Sequence, residues 1–179
     1  NPSGIAAVQI AYGFVVETHD TNDFLIDGLQ QALAYCRQIE FIRGAHHCLV
    51  YLGQAAIQQG QYTSARDLLT ESLTGVQVTQ CWWTEAQTHH TLAILELATG
   101  DYHSAEQYEK ACLLRHQQVN QRWRTAWSLS HLGKIKLFQG NTTEANKILH
   151  ESLQIFREEN HPSGIASSLE RLGGVAQAQ

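Results

Sequence analysis

Residues 52–73 read LGQAAIQQGQYTSARDLLTESL, and residues 132–153 read LGKIKLFQGNTTEANKILHESL. Between them, residues 92–113 read LAILELATGDYHSAEQYEKACL, so the same pattern returns at a fixed shift of 40 residues. Gly60, Gly100 and Gly140 align, as do Ala65, Ala105 and Ala145, and Leu33, Leu73, Leu113 and Leu153 form a four-member column. Gly13, Gly53, Ala93, Gly133 and Gly173 make another. The pentapeptide Pro2-Ser3-Gly4-Ile5-Ala6 recurs four periods later as Pro162-Ser163-Gly164-Ile165-Ala166. A register kept over so many columns is the signature of a tandem repeat.

Within each period apolar residues return at three- and four-residue steps, as at Leu49, Leu52, Ala56 and Ile57, then Ala65, Leu68, Leu69 and Leu73. That spacing gives each helix one apolar stripe, so a period is two amphipathic helices. The glycine between the runs, free to take positive φ, ends the first helix and reverses the chain. Asp101 and Asn141 follow as N-caps, and Asn141 has Glu144 three residues on, in the manner of a capping box. First helices are expected near residues 4–19, 44–59, 84–99, 124–139 and 164–179, and second helices near 23–38, 63–78, 103–118 and 143–158. One helix pair cannot bury its stripe alone, so neighbouring pairs must stack. The expected fold is all-α, a right-handed superhelical solenoid of about nine helices. It is read as a single domain over 1–179, with repeats near 1–40, 41–80, 81–120 and 121–160 and a terminal helix at 161–179. The strict register of the end motifs reads both ends as cuts through a longer array.

Composition agrees with a helical, folded chain. Of 179 residues 43% are apolar, only 16% are charged, and there are 2 prolines. The net charge of -5, with no basic run, gives no general attraction to phosphate backbones, so nucleic acid is not an expected partner. No apolar run approaches the roughly 20 residues that span a bilayer, so no membrane association is expected. The cysteines at 36, 48, 81 and 112 show no metal-binding or disulfide spacing, which points to reduced thiols and a cytoplasmic setting.

The run Leu52-Gly53, Gly60, Tyr62, Ala65, Leu69 and Ser72 resembles the signature of the tetratricopeptide repeat. So do Leu92-Ala93, Gly100, Tyr102, Ala105 and Cys112, and then Leu132-Gly133, Gly140, Thr142, Ala145, Leu149 and Ser152. The departure is length, 40 residues against the usual ~34, a period also found in HEAT-type repeats. The extra residues fall around 77–84 and 117–124, implying longer second helices or looser connections. Residues 163–179, SGIASSLERLGGVAQAQ, are similar to forty-residue arrays attached to large bacterial signalling ATPases and transcription activators, where the repeats act as a sensor or partner-binding arm. The sequence has no GxxxxGK[ST] nucleotide-binding loop.

What the resemblance implies is a non-catalytic protein- or peptide-binding scaffold without cofactor or metal, inside a larger regulatory protein. Its groove would be lined by the first helices: Ala7, Ile10, Phe14 and Glu17, then His47, Val50, Gln54 and Ile57, then Gln87, His90, Ile94 and Leu97, then Trp127, Ser130, Lys134 and Leu137, with Ser167 and Glu170 beyond. A mixed groove of this kind takes a partner segment on aromatic and aliphatic anchors, with His47, Gln54, His90 and Lys134 setting orientation. The competing reading is that some of these residues pack between helices. Two other functions stay open: a sensor for a small effector, and self-association through the terminal repeats.

His46-His47 and His89-His90 invite a metal, but adjacent helical residues point about 100° apart and cannot chelate one ion together, and a cross-helix His47 and His90 site lacks a third ligand in phase. Trp83 and Trp123 occupy equivalent positions and are expected to plug the lengthened loop between repeats. Cys48 and Cys112 stand in columns of small residues and are expected to pack rather than react.

Overall fold

The structure is a computed structural model that describes residues 23–178. Among the described residues there are eight helices and no strand: α1 (Asp23–Gln38), α2 (Ile42–Gln58), α3 (Tyr62–Thr79), α4 (Trp82–Thr99), α5 (Tyr102–Gln118), α6 (Arg122–Phe138), α7 (Thr142–Glu158) and α8 (Pro162–Gln177). The helix expected near 4–19, with Phe14 and Glu17, lies outside the described residues. Helices α2, α4, α6 and α8 begin 40 residues apart and are the first helices of successive pairs.

The extra length of the repeat goes into the helices, which run 16 to 18 residues, and not into looser connections, which are two or three residues throughout. Gly60, Gly100 and Gly140 take φ of 73°, 85° and 77° at the turn within each pair. A second column does the same between pairs: Glu40, Gln80, Asn120 and Asn160 have φ of 50° to 56°. Six of these seven turns, those at Glu40, Gly60, Gly100, Asn120, Gly140 and Asn160, are closed by a backbone bond back across the helix end, as from the Asn141 N–H to Lys136 O (2.9 Å) and from the Gln121 N–H to His116 O (3.0 Å). That is the Schellman closure, which occupies carbonyls the helix end leaves free. Asn141 Oδ1 accepts from the Glu144 N–H at 3.1 Å while its Nδ2 donates to Glu144 Oε2, so the capping pair is present; Asp101 caps α5 through the Ser104 N–H.

Contacts divide the chain into two compact units, one ending at Leu95 and the other beginning at Glu96, within α4. In the first, α1, α2 and α3 pack around Leu29, Cys36, Cys48, Leu49 and Leu52. In the second, α6 packs on α5, α7 and α8, with Leu149, Phe156 and Val175 buried. Ala65, Ala105 and Ala145 are fully buried, as the seams require. The bulky residue of each seam sits where its partner has no side chain: a Cβ on Gly53 would lie 2.8 Å from Leu69, and one on Gly133 2.6 Å from Leu149.

Candidate functional site

The first helices supply the candidate surface, and each unit shows its own part of it. In the first unit, His47 on α2 lies with its ring 4.8 Å from that of Trp83, at the start of α4. Trp83 packs against the apolar core of that unit, and with only two residues between α3 and α4 there is no lengthened loop for it to plug. Burial, then the charges of Arg43 and His46, hold the His47 pKa below its ordinary value. Gln54, Gln87, His90 and Ile94 are partly exposed. Val50 is not part of an open surface: it is 2% exposed and belongs to the packing of α2.

In the second unit, Trp127 on α6 is half-buried, edge-on to the fully buried ring of Phe156 (5.1 Å) and to His161 (6.0 Å). Trp123, one turn earlier, stacks on His161 at 5.9 Å, with the Arg124 guanidinium 4.3 Å from its ring. His161 is itself fixed, since its Nδ1 accepts from the Gly164 N–H at the start of α8. Ser130, expected in the groove, is fully buried and receives a 2.6 Å hydrogen bond from Arg171 Nη1 on α8. Lys134 stands one turn along α6 from Ser130. Burial first, then repulsion by Arg171, push its pKa down against the pull of Glu170, and burial likewise lowers that of Arg171 against Glu170 and Glu109. Lys134 and Arg171 are thus close enough to repel each other, with Glu170 attracting both and Glu109 attracting Arg171.

The sequence reading missed Arg171, His131, Phe156 and His161. Arg171 follows Glu170 directly, but nothing in its spacing showed that it would reach back to α6. Among the described residues no cluster of three His, Cys, Asp or Glu side chains could hold a metal ion, and no helix is long and apolar enough to cross a membrane. Cys48 and Cys112 are buried, as packing residues are: burial pushes the Cys48 thiol up to about 12 and the Cys112 thiol further in the same direction.

Residues 84–158 match the family model for the tetratricopeptide repeat, which takes in the second and third sequence copies. No curated protein matches the chain. Among solved structures it is similar to a P. anserina protein described as a kinesin light chain of nearly identical TPR-like repeats, with 17% identity over 97% of this chain and 84% of that one, at a TM-score of 0.74. BtubC from P. vanneervenii gives 15% identity over 99% and 82%, at a TM-score of 0.69. A signal-transduction ATPase from Pyrococcus horikoshii with a tetratricopeptide repeat sensor gives 16% identity and a TM-score of 0.75 over 96% of this chain, which spans 27% of that protein's length. At these identities the likeness speaks for the fold.

Proposed function

We propose, from the match of residues 84–158 to the tetratricopeptide-repeat model, that the chain is a non-catalytic binding module whose α6 and α8 face takes a partner segment bearing a carboxylate. Repeats of this kind present extended surfaces to protein partners. The observation that carries the specific reading is that Arg171 reaches from α8 to Ser130 on α6, one turn from the partly buried Lys134, on the helix that also carries the half-buried Trp127. A desolvated cation pair favours an acidic group, and a ring anchored from behind by Phe156 offers a rigid apolar contact for the neighbouring side chain. In the first unit, taken by itself, the partly exposed Gln54, Gln87, His90 and Ile94 would offer a partner polar and aliphatic groups.

The test is a display library of random peptides selected on the purified chain. Selected peptides should carry Asp or Glu beside an apolar residue, and Lys134→Ala should weaken them at least tenfold, whereas Lys147→Ala on the exposed side of α7 should not. Peptides that bind with no acidic residue, or that ignore both Lys134 and Trp127, would remove the reading. A sensor role within a larger signalling ATPase is the second reading, supported by the likeness to the P. horikoshii protein.

A further inference from the structure

The two units share a three-helix frame, and one place in it is filled differently. In the second unit α5, α6 and α7 meet around Lys136, whose side chain is 10% exposed. Its Nζ lies 2.8 Å from Glu106 Oε1 and 3.2 Å from Glu144 Oε2, and Gln139 Nε2 donates to Glu106 Oε2 at 2.8 Å. Eighty residues earlier, α1, α2 and α3 repeat the frame with Ile26, Ala56 and Ser64 at the positions of Glu106, Lys136 and Glu144. There the described residues leave a cleft of about 220 Å³, lined by the buried Leu52 and Ala56, the partly buried Ile26 and Leu68, and the exposed Gln30 and Gln59.

We propose that this cleft receives one uncharged aliphatic side chain of a partner segment, leucine or a residue of its size, with the segment's backbone amides against the carboxamides of Gln30 and Gln59. The chain itself indicates what the place accepts, since in the second unit the Lys136 side chain reaches from the position of Ala56 to Glu106 and Glu144, which stand at the positions of Ile26 and Ser64. The occupant of the first unit must be neutral, because no carboxylate stands among the described residues lining it and a buried cation without one is strongly disfavoured. The volume suffices, as a dry cavity of about 150 Å³ accepts a molecule the size of benzene. The inference deepens the reading of the chain as a partner-binding module, through residues other than Lys134 and Trp127.

The experiment is a titration of the purified chain, labelled at Leu and Ile methyls, with three probes followed by NMR: N-acetyl-leucinamide, N-acetyl-lysinamide and N-acetyl-glycinamide. Leucinamide should shift the methyls of Ile26, Leu52 and Leu68 saturably, lysinamide should bind at least tenfold more weakly, and glycinamide should leave them unmoved. Ala56→Leu fills the cleft from within and should abolish the shifts. Ser64→Trp covers it from the exposed rim without touching the core and should do the same if the first variant fails to fold. No saturable shift, equal binding of lysinamide, or shifts that persist in a folded filled variant would overturn the proposal. Saturation by n-pentanol without any by leucinamide would also overturn it, assigning the cleft to a free small molecule. The acidic peptides selected on the Lys134 face report separately, so either reading can fail alone.

Discussion

Lys136 and Glu106 show how a charge is kept where the repeat otherwise buries apolar groups. Burial opposes ionisation of Glu106, but hydrogen bonds from Lys110, Lys136 and Gln139 outweigh it and hold its pKa at about 2, below its ordinary 4.5. Burial also works against the Lys136 charge, and Glu106 and Glu144 outweigh it, raising that pKa. A carboxylate depressed in the folded state stabilises above its ordinary pKa, and this contribution is lost as pH falls from about 4.5 to about 2. Glu106→Gln should therefore cost about 2 kcal/mol at pH 7, the range of hydrogen bonds to charged groups, and almost nothing at pH 2. Urea unfolding of both proteins across that interval measures the difference, and a gap that stays constant with pH would contradict the assignment.

The same scale shows what composition concealed. Ser72, Cys112 and Ser152 form one column of small residues, and Thr88 and Ser128 belong to another; read separately, both look like simple packing. The structure joins them, Ser72 to Thr88 at 3.0 Å, Cys112 to Ser128 at 3.4 Å, and Ser152 to Ser168 at 3.2 Å, each sixteen residues apart. Ser152 also donates to the Ala126 carbonyl at 2.7 Å. Period-forty alignment compares equivalent positions, so it is blind to a bond between two columns. Val50 and Ser130 were misplaced for a related reason: helical phase gives a residue's direction from its own axis, not which neighbouring helix covers it. Glu109, 1% exposed in the column of Leu69 and Leu149, was equally illegible, because an apolar column gives no warning of one buried acid.

Helices were more legible than side chains. The glycine column located the turn within each pair, and the three- and four-residue spacing located the helix bodies, because backbone conformation there is set by local residue type. The turn between pairs was not legible. Its left-handed position is held by Glu40, Gln80, Asn120 and Asn160, and only the two asparagines belong to a type that favours it. Without a glycine to mark the stop, the surplus residues could be assigned equally to loops or to helices. The helices took them, as added hydrogen-bonded turns extend the buried seam. Gln80→Gly should then raise stability by about 0.5–1 kcal/mol, less than the full left-handed penalty because glycine also loosens the unfolded chain. Chemical denaturation measures it, and a destabilised Gln80→Gly would show that the turn is not strained.

At the scale of the chain, the period was readable end to end, and with it the all-α class and the pairing of helices. Two units appear in the contacts, although the register passes through Glu96 without interruption, because periodicity reports equivalent positions and not how densely neighbours touch. The proposed surface was drawn from the faces of the first helices, and two of its residues, Val50 and Ser130, proved to be buried. Trp127 and Lys134 were picked out by phase, while Arg171, to which with Lys134 the proposed function assigns the acidic group, comes from the following pair. Binding by the first-helix face is therefore the claim most in need of a direct measurement. A photo-crosslinking amino acid placed at His131, beside Trp127 on α6, or at Lys147, on the exposed side of α7, in the full-length gene product reads it when the product is irradiated with an acidic peptide selected as above. The account predicts peptide adducts from position 131 and none above background from position 147. Adducts from 147 alone, or equal yields from both, would contradict it.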